Sequence, residues 1–490
     1  RRRGPCRLGD LTTDSEGLDG FRGRGVNRPD AAMVADARSS PGNVIPYPDQ
    51  ALFLALRGAG QEAVMQGLWI YEHPVDLDGV KRLHRNLFGT LLARRIEPSA
   101  LPFGRHRWVS QPYTESNLDI FERPRARADL YTWADEQVEL PLDPQFGPAW
   151  RLGVQPLSDG TTVVSLVASH CVVDGAGSFL AIAQASTGAT HDLGLARAGS
   201  RTRWRGIRED FRQLGRDLPE VGRTLRQAVK VAVRRRSELG RSADADAVGG
   251  VEGPAVRMPT VSVFIDAAQW NARAESLGGN SFSLVAALAG KLAQRLHRVR
   301  ASDGAVTLML PVSERADLQD TGGNVVSIAH VSFDPGPVTT DLTGPRAAIR
   351  EGLKKAREVP DEMVELLPLI PFLPRRGIAR IADAAFGFST DLPVSCSNFG
   401  VIPIEVTCAD GTPAEYLCFR GVDRHVTAEN LQRRRGIMTV TSGQIAEKMA
   451  ITVISYQPRM ENSPAELGDV ITKTLDDFGL FGELVCDGQR

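Results

Sequence analysis

The chain has 490 residues and a formal net charge of −1, with 42% hydrophobic and 24% charged residues. This composition is typical of a globular protein of two or three domains, and a charge near zero argues against nucleic acid as a partner, because no overall field would attract its phosphates. No apolar run reaches the roughly 18 residues that a membrane-spanning helix needs, so the sequence predicts no transmembrane segment.

Residues 1–45 are rich in Arg, Gly, Asp and Ser and contain no apolar stretch of the kind found in signal peptides. They are predicted to form a disordered N-terminal extension. Residues 46–200 then alternate helical and strand patterns and are interpreted as an N-terminal lobe. Within this lobe, residues 161–167 (TTVVSLV) are mostly β-branched and follow an Asp-Gly turn, so they are predicted to form a strand.

Residues 201–253 differ in character and are interpreted as a basic helical connector followed by a linker. Residues 201–241 hold thirteen Arg or Lys against five Asp or Glu, and their apolar side chains recur at helical spacing. Pro219 and Gly222 are candidate breaks in this predicted helix. The small and acidic residues of 242–253 are typical of a flexible linker.

Residues 254–490 again interleave the two kinds of pattern and are interpreted as a C-terminal lobe. Residues 283–296 are rich in Ala and Leu and are predicted to form a helix. Strand-like apolar segments occur at 261–265, 306–312, 325–333, 438–441 and 451–456. Because helices and strands interleave in both halves, the sequence predicts an α/β fold rather than an all-α or all-β fold.

The six cysteines are too few for a disulfide framework, and they form no Cys-x-x-Cys pair or Cys/His cluster of zinc-site spacing. The sequence therefore predicts no metal site, and a reducing, cytoplasmic setting suits such a chain. There is also no Gly-rich phosphate loop of the GxxxxGK type, so nucleotide hydrolysis is not expected.

The clearest chemical signature follows the predicted strand directly, in residues 169–177 (SHCVVDGAG). A histidine at the end of a stiff strand can face a cavity, and an imidazole with a pKa of about 6.5 can accept a proton at neutral pH. His170 would therefore suit the deprotonation of an attacking hydroxyl or amine. An ordinary structural histidine followed by an Asp-Gly turn shows the same residue types, so this motif alone leaves both interpretations open.

The HxxxDG string resembles the hallmark of the superfamily that contains chloramphenicol acetyltransferase, peptide-synthetase condensation domains, wax ester synthase/diacylglycerol acyltransferases and polyketide-associated acyltransferases. Further segments resemble this superfamily or its wax-ester branch: 148–151 (PAWR), 311–315 (PVSER), 323–325 (GNV) and 397–403 (SNFGVIP). The likeness spans about residues 46–460.

The resemblance implies roles for the residues of the motif. His170 would be the general base, and Asp174 would be a structural carboxylate at the turn that Gly175 helps to form. Arg315 would be the ion-pair partner of Asp174, since a buried carboxylate needs a cation. Cys171 next to the histidine is not expected to act as a nucleophile, because neighbouring side chains at a strand end point to opposite faces.

Three more residues are candidates for substrate binding by the same resemblance. They are Trp150, Ser397 and Asn398, although Trp150 also fits a core position and Asn398 also fits a turn. The sequence departs from the resemblance at two places. Ser169 replaces the first of two consecutive histidines, a residue that the family does not need for chemistry. Residues 281–282 (SF) replace an Asn-Asp pair of the wax-ester branch, which weakens the match to that branch.

The fold implied by the resemblance is a pair of chloramphenicol acetyltransferase-like lobes, each a mainly antiparallel sheet flanked by helices, with an active-site tunnel between them. The implied activity is O-acyl transfer by direct attack on a thioester. The donor would be acyl-CoA or an acyl-phosphopantetheine thioester, used as a co-substrate, with no bound cofactor. The acceptor would be a small-molecule or lipid alcohol.

Two other functions stay open at this stage. One is a free-standing condensation enzyme that forms an amide, and the other is a non-catalytic, condensation-like protein that docks carrier proteins. An acyl carrier protein is a candidate partner in each case. The apolar segment 364–374 (VELLPLIPFLP) either lines the core or, together with the basic connector, provides peripheral membrane contact.

Overall fold

The structure, a computed structural model, describes residues 43–59, 62–235, 255–315, 320–358, 365–373, 392–458 and 460–485. Helices and strands alternate along these segments, as the sequence patterns predict. The α-helices are α1 (Tyr47–Ala59), α2 (Leu77–Leu87), α3 (Leu130–Glu139), α4 (Gly175–Thr187), α5 (Arg203–Arg235), α6 (Ala267–Ser276), α7 (Ser281–Arg295), α8 (Thr343–Glu358), α9 (Ala428–Arg433) and α10 (Pro464–Asp477).

The β-strands of the described segments are β1 (Glu62–Tyr71), β2 (Arg94–Glu97), β3 (Arg107–Ser110), β4 (Leu118–Ile120), β5 (Trp150–Pro156), β6 (Thr162–Ser169), β7 (Thr260–Asp266), β8 (Val306–Ser313), β9 (Val326–Phe333), β10 (Val394–Ile402), β11 (Tyr416–Arg424), β12 (Ile437–Ile445), β13 (Lys448–Tyr456) and β14 (Gly482–Leu484). Strands β2 and β3 form a separate two-stranded hairpin.

Two large sheets form the centres of two lobes. The strand order is β11-β1-β6-β5-β4 in the first sheet and β14-β7-β13-β12-β10-β8-β9 in the second. Neighbouring strands are antiparallel except at β4–β5, β10–β12 and β10–β8, so both sheets are mainly antiparallel. Helix α3 packs against the first sheet and α7 against the second. The predicted two-lobed α/β fold is confirmed.

Strand β6 lies at the centre of the first sheet and is buried at every position. Its β-branched and apolar residues suit a strand that is covered on both faces. Around it, Trp69, Trp133 and Trp150 are fully buried, and replacing any of them by Ala would cost about 3–5 kcal/mol of stability. This packing makes the end of β6, where His170 follows, a rigid platform.

Strand β11 comes from the C-terminal half of the chain but joins the first sheet. It pairs antiparallel with β1 and places Arg424 opposite Glu62. The prediction that residues 254–490 form the C-terminal lobe is therefore wrong for this strand. The physical reason is that β1 would otherwise be an edge strand with unpaired backbone groups, which β11 covers.

The predicted disordered extension over residues 1–45 is wrong at its end, because Val44 and Ile45 are buried. The Ile45 N–H donates to the carbonyl of His106 at 3.0 Å, which ties this segment to the hairpin of β2 and β3. The rest of the predicted extension, residues 1–42, lies outside the described residues.

The predicted basic connector is a continuous helix, α5, of 33 residues. Neither Pro219 nor Gly222 interrupts it. Both residues are exposed, so a backbone carbonyl left without its helical donor near Pro219 can be hydrated by solvent. The predicted linker over residues 242–253 lies outside the described residues.

The apolar segment predicted at 364–374 is described over residues 365–373. It contains a short 3₁₀ helix, Leu367–Phe372, which packs against α1 and α5 and buries Pro368 and Ile370. The Phe372 ring stacks on the Phe103 ring at 5.5 Å, and both rings are partly exposed. The buried part fits the core-lining interpretation, while peripheral membrane contact stays a prediction.

One cysteine forms a disulfide bond that the sequence did not predict. Cys171, Cys396 and Cys418 are buried free thiols, whereas Cys408 is disulfide-bonded. No helix in the described segments combines the length and the apolar character needed to cross a bilayer.

Candidate active site

His170 is the residue at which the chain leaves β6. Its backbone N–H donates to the carbonyl of Ala63 on β1 at 3.0 Å, so the neighbouring strand fixes its position. The residue is partly exposed, unlike the eight buried residues of β6 before it. Its Nδ1 atom is buried and has no hydrogen-bond partner within the described residues. The backbone of His170 is therefore fixed, while Nδ1 of its imidazole makes no internal hydrogen bond.

Asp174 caps the N-terminus of α4 and is 1% exposed. Its Oδ1 accepts hydrogen bonds from the Gly177 N–H at 2.7 Å and from Arg315 Nη2 at 2.8 Å, and its Oδ2 accepts from the Val325 N–H at 2.9 Å. The predicted ion pair between Asp174 and Arg315 is present. With donors on both oxygens, the Asp174 carboxyl group is fixed in position and serves the structure.

Arg315 connects the two lobes. It follows β8 in the second lobe, reaches Asp174 in the first, and has a side chain that is 8% exposed. Its guanidinium also donates to the carbonyls of Asp320, Gly322 and Gly323 at 2.8 to 3.2 Å. The ion pair therefore holds the loop 320–325 against the first lobe.

Asn324 in this loop contacts the candidate base directly. Its Nδ2 donates to the backbone carbonyl of His170 at 2.9 Å and to Oδ1 of Asp49 at 2.6 Å. Gly323 is required beside it, because a Cβ there would lie 2.5 Å from both carboxylate oxygens of Asp49. The segment 323–325 (GNV) carries part of the family resemblance, but the sequence does not predict this contact.

Arg94 supports the same junction from β2. It donates to the carbonyl of Val172 at 2.6 Å and to that of Thr321 at 2.5 Å, and its guanidinium lies 4.3 Å from the Trp108 ring centroid. Burial lowers the pKa of Arg94 to about 10 and raises the pKa of Asp49 to about 6. Neither residue was predicted, since no local motif marks them.

Ser169 directly precedes His170 and takes part in a separate buried hydrogen-bond network. Its hydroxyl donates to the Glu62 carboxylate, which also accepts a hydrogen bond from Arg424 Nη1 at 3.0 Å. All three residues are buried, and burial raises the pKa of Glu62. Ser169 thus belongs to a polar network that joins β6, β1 and β11.

Cys171 lies on the other side of His170 and is buried. Burial raises the pKa of its thiol far above the usual range, with the Glu62 carboxylate adding to the effect. A thiol that stays protonated is a poor nucleophile. This environment agrees with the expectation that Cys171 does not react.

The segment carrying Ser397 and Asn398 lies beside the start of α4 through Phe399. A Cβ on Gly175 would lie 2.8 Å from the Phe399 ring, and this ring packs edge-on against Phe179 at 4.6 Å. The close approach explains why glycine follows Asp174.

The candidate substrate-binding residues of this segment have local partners. Oδ1 of Asn398 accepts from the Gly400 N–H at 2.9 Å, and the Ser397 carbonyl accepts from the Ser442 hydroxyl at 3.4 Å. The Asn398 contact is that of a turn residue. Substrate binding by Ser397 and Asn398 stays a prediction.

Trp150 was a candidate substrate-binding residue, and this prediction is wrong. The side chain is fully buried, and its Nε1 donates to the carbonyl of Leu92 at 3.0 Å. Its ring packs against Phe88 at 5.0 Å and His84 at 5.4 Å. Trp150 therefore has no surface for a ligand and fills the core of the first lobe.

The predicted tunnel through His170 stays a prediction. A cavity of about 540 Å³ lies beside α5, and a smaller one lies near Leu296 and Met460, but His170 lines neither. Within the described residues there is also no group of three or more His, Cys, Asp or Glu side chains that could hold a metal ion.

A scan against protein-family models and a search of curated proteins found no match for the sequence. Among solved structures, the first condensation domain of the calcium-dependent antibiotic synthetase, in complex with a substrate analogue, has a TM-score of 0.54 and 13% identity. That alignment covers 92% of this chain and 99% of that chain.

Two other solved structures are also similar to this chain. The nonribosomal peptide synthetase FmoA3 has a TM-score of 0.50 and 17% identity, over 90% of this chain and 44% of that chain. A wax ester synthase/diacylglycerol acyltransferase from Marinobacter aquaeolei VT8 has a TM-score of 0.49 and 14% identity, over 89% of this chain and 98% of that chain. On the similarities with TM-scores of 0.54 and 0.50, the chain has the two-lobed fold of condensation domains.

Proposed function

We propose that this protein transfers an acyl group from a thioester to a hydroxyl, with His170 as the general base. The observation that carries the proposal is the state of His170 itself. Its backbone is held by β1 and by Asn324, while the residue is partly exposed and Nδ1 has no hydrogen-bond partner within the described residues. Nδ1 is buried, so in this proposal Nε2 meets the substrate proton, and no internal hydrogen bond at Nδ1 has to break.

The reaction would proceed in one displacement. The imidazole takes the proton of the acceptor hydroxyl as its oxygen attacks the thioester carbonyl carbon. The carbon–sulfur bond of the resulting intermediate then breaks, and the imidazolium returns the proton to the leaving thiolate. Asp174 takes no part in proton transfer, because both of its oxygens already accept hydrogen bonds. Its role is to hold α4 and loop 320–325 around the histidine.

The donor in this proposal is acyl-CoA or an acyl chain on the phosphopantetheine arm of a carrier protein. The acceptor is a small-molecule or lipid alcohol. No bound cofactor takes part in the proposed reaction. The setting is the cytoplasm, and contact with a membrane surface would be peripheral.

A second candidate is amide formation, and one observation favours it. The structure with a TM-score of 0.54 is a condensation domain of the calcium-dependent antibiotic synthetase, and FmoA3 is a nonribosomal peptide synthetase. The same base would then deprotonate an amine instead of a hydroxyl. A non-catalytic carrier-docking protein fits less well, because that role would not need a partly exposed histidine with an unoccupied ring nitrogen.

The test is thiol release from a panel of acyl-CoAs and acylated carrier proteins, each offered alcohols and amines, with the product identified by mass spectrometry. His170→Ala is expected to lower turnover by about 10²–10⁴-fold without unfolding the protein. His191→Ala, at an exposed histidine, is the matched control and should leave turnover unchanged. A folded His170→Ala protein with near-normal turnover would contradict the role of His170.

The choice of acceptor decides between the two candidates. Ester products alone would support the hydroxyl acceptor, and amide products alone would support the condensation alternative. An absence of thiol release with every donor and acceptor would favour the non-catalytic function.

A further inference from the structure

A cavity of about 540 Å³ lies between helix α5 and the hairpin of β2 and β3. Its walls come from one face of α5, from the hairpin and from the segment that leads into α5. Five of the side chains that line it are arginines and two are glutamates. A cavity of this volume suits a small-molecule ligand.

One end of the cavity is closed by ion pairs within the protein. Arg201 contacts Glu97 at 2.9 Å and Asp210 at 3.0 Å, and Arg107 lies 3.5 Å from the same Asp210 carboxylate. Asp210 is buried directly behind the wall. These charges compensate each other, so this end shapes the cavity and offers no net charge to a ligand.

The other arginines lie along one face of α5 and are compensated differently. Arg205 pairs with Glu209 at 2.9 Å. Arg212 and Arg216 line the cavity, are exposed, and form no ion pair within 4 Å in the part of the chain that the structure describes, although the Asp217 carboxylate lies close enough to interact with the charge of Arg216. Asp217 pairs with Arg105 at 3.5 Å, so six arginines (Arg105, Arg107, Arg201, Arg205, Arg212 and Arg216) face four carboxylates (Glu97, Glu209, Asp210 and Asp217). The excess is two positive charges, and Arg212 and Arg216 carry it.

The spacing of Arg212 and Arg216 suits one dianionic group. Residues four apart lie on the same side of a helix, with their Cβ atoms about 6 Å apart. Guanidinium groups form paired, charge-assisted hydrogen bonds with phosphate oxygens. The neutral donors Ser200 and Asn43 line the same space. A phosphate group of charge near −2 would balance the cavity.

We propose that this cavity binds a small molecule through a phosphate group, and that Arg212 and Arg216 are the residues that contact the phosphate. The phosphate can come from a free inorganic anion or from the nucleotide part of a CoA molecule. The CoA source rests on the proposed acyl transfer, whereas phosphate binding does not.

Strand β2 connects the cavity with the candidate active site, which supports the CoA source. Glu97 lines the cavity, and Arg94, three residues earlier on the same strand, donates to the carbonyl of Val172 close to His170. Three residues of a strand span about 10 Å. This span is the part of the path from the cavity to the active site that the strand itself covers.

The test is calorimetric titration of the full chain with inorganic phosphate, CoA and pantetheine. Arg212→Gln combined with Arg216→Gln is the test variant. Arg223→Gln combined with Arg226→Gln is the matched control, because these arginines are exposed on the same helix but do not line the cavity. Circular dichroism checks that each variant is folded.

We expect CoA to bind the native chain, pantetheine to bind at least tenfold more weakly, and the test variant to lose about tenfold or more in affinity for CoA. The control should bind as the native chain does, and binding should weaken as salt rises. If inorganic phosphate binds but CoA does not, and if only the test variant loses this binding, the phosphate site is supported. Its ligand would then be a free anion.

Two results would overturn the inference. One is that neither inorganic phosphate nor CoA binds at millimolar concentration. The other is that the test and control variants lose affinity equally. These results would leave acyl transfer unaffected, since His170→Ala tests that reaction through turnover. If the protein proves not to transfer acyl groups, the titration with inorganic phosphate still tests the cavity.

Discussion

The junction between the lobes and the cavity beside α5 are both rich in arginine, but their arginines are satisfied differently. Arg94 and Arg315 are buried at the junction and donate to backbone carbonyls and, for Arg315, to the Asp174 carboxylate. Arg212 and Arg216 are exposed in the cavity and form no ion pair within 4 Å among the described residues. The first pair can only stabilise the fold, whereas the second pair still has charge to offer.

This difference has a physical cause. A buried guanidinium must have nearly all of its donors paired inside the protein, and removing a partner leaves an uncompensated charge in a poor solvent. An exposed guanidinium is already hydrated, so its loss costs the fold little and matters only to a ligand that displaces the water. Substitutions in the two regions should therefore separate stability from binding.

The largest effect is expected at the junction. Asp174→Asn should lower the free energy of unfolding by about 3–5 kcal/mol, because it leaves the Arg315 guanidinium buried without a counter-ion. Denaturant titration of both proteins measures the change. Asp303→Asn is the matched control, since Asp303 pairs with Arg300 at 2.7 Å on the surface and its loss should matter little. Equal changes in the two variants would contradict the contrast between buried and exposed arginines.

A smaller effect is expected from Asn324→Ala. The variant loses the hydrogen bonds from Nδ2 to His170 and Asp49, which should cost about 1–3 kcal/mol of stability. It should also lower kcat more than it raises KM, because the backbone of the candidate base is less firmly held. Asn430→Ala removes a capping bond of α9 and is expected to cost about 1 kcal/mol without changing kcat. An unchanged kcat in Asn324→Ala would limit Asn324 to a structural role.

The third prediction concerns the pH dependence of the junction. Burial raises the pKa of Asp49 to about 6, opposed in part by Arg94 and reinforced by the charge of Asp174. The folded state therefore binds a proton more tightly than the unfolded state, and stability should fall as pH rises from about 4 to about 6, by at most about 3 kcal/mol. Asp49→Asn should remove this component, so its unfolding free energy should depend less on pH than that of the native chain. Parallel curves for the two proteins would contradict the raised pKa.

The smallest effect is expected in the cavity. Combining Arg212→Gln with Arg216→Gln should change the free energy of unfolding by no more than about 0.5 kcal/mol, because both residues are exposed and form no ion pair within 4 Å among the described residues. Thermal and denaturant unfolding measure this directly. A loss as large as that of Asp174→Asn would mean that the two arginines hold the fold together and are not free to bind an anion.

Local features of the sequence were enough to predict several parts of the molecule. The β-branched run before His170 predicted β6, because side-chain shape and alternation act over a few residues. Helical periodicity predicted α5, although exposure of Pro219 and Gly222 allowed the helix to continue where a break was expected. The motif around Asp174, by its family likeness, predicted the ion pair with Arg315.

Contacts between distant segments were decided by the tertiary structure alone. Asn324 and the carbonyl of His170 are 154 residues apart in sequence, and Glu62 and Arg424 are 362 apart. The place of β11 in the first sheet follows from an edge of β1 that only the folded lobes bring within reach. Trp150 is a second example. The sequence shows an aromatic residue near the motif, but only the packing of the folded lobe decides that it is buried.

The sequence by itself thus determined the α/β class, the strand that carries His170 and the charged helix α5, since each depends on neighbouring residues along the chain. The tertiary structure decided which charges are compensated. Arg315 and Arg212 are equally basic in the sequence, but one is enclosed by carbonyls of a loop and a carboxylate of the other lobe, while the other faces a cavity. The solvation and pairing of a charge depend on what surrounds it in space, and no local pattern contains that information.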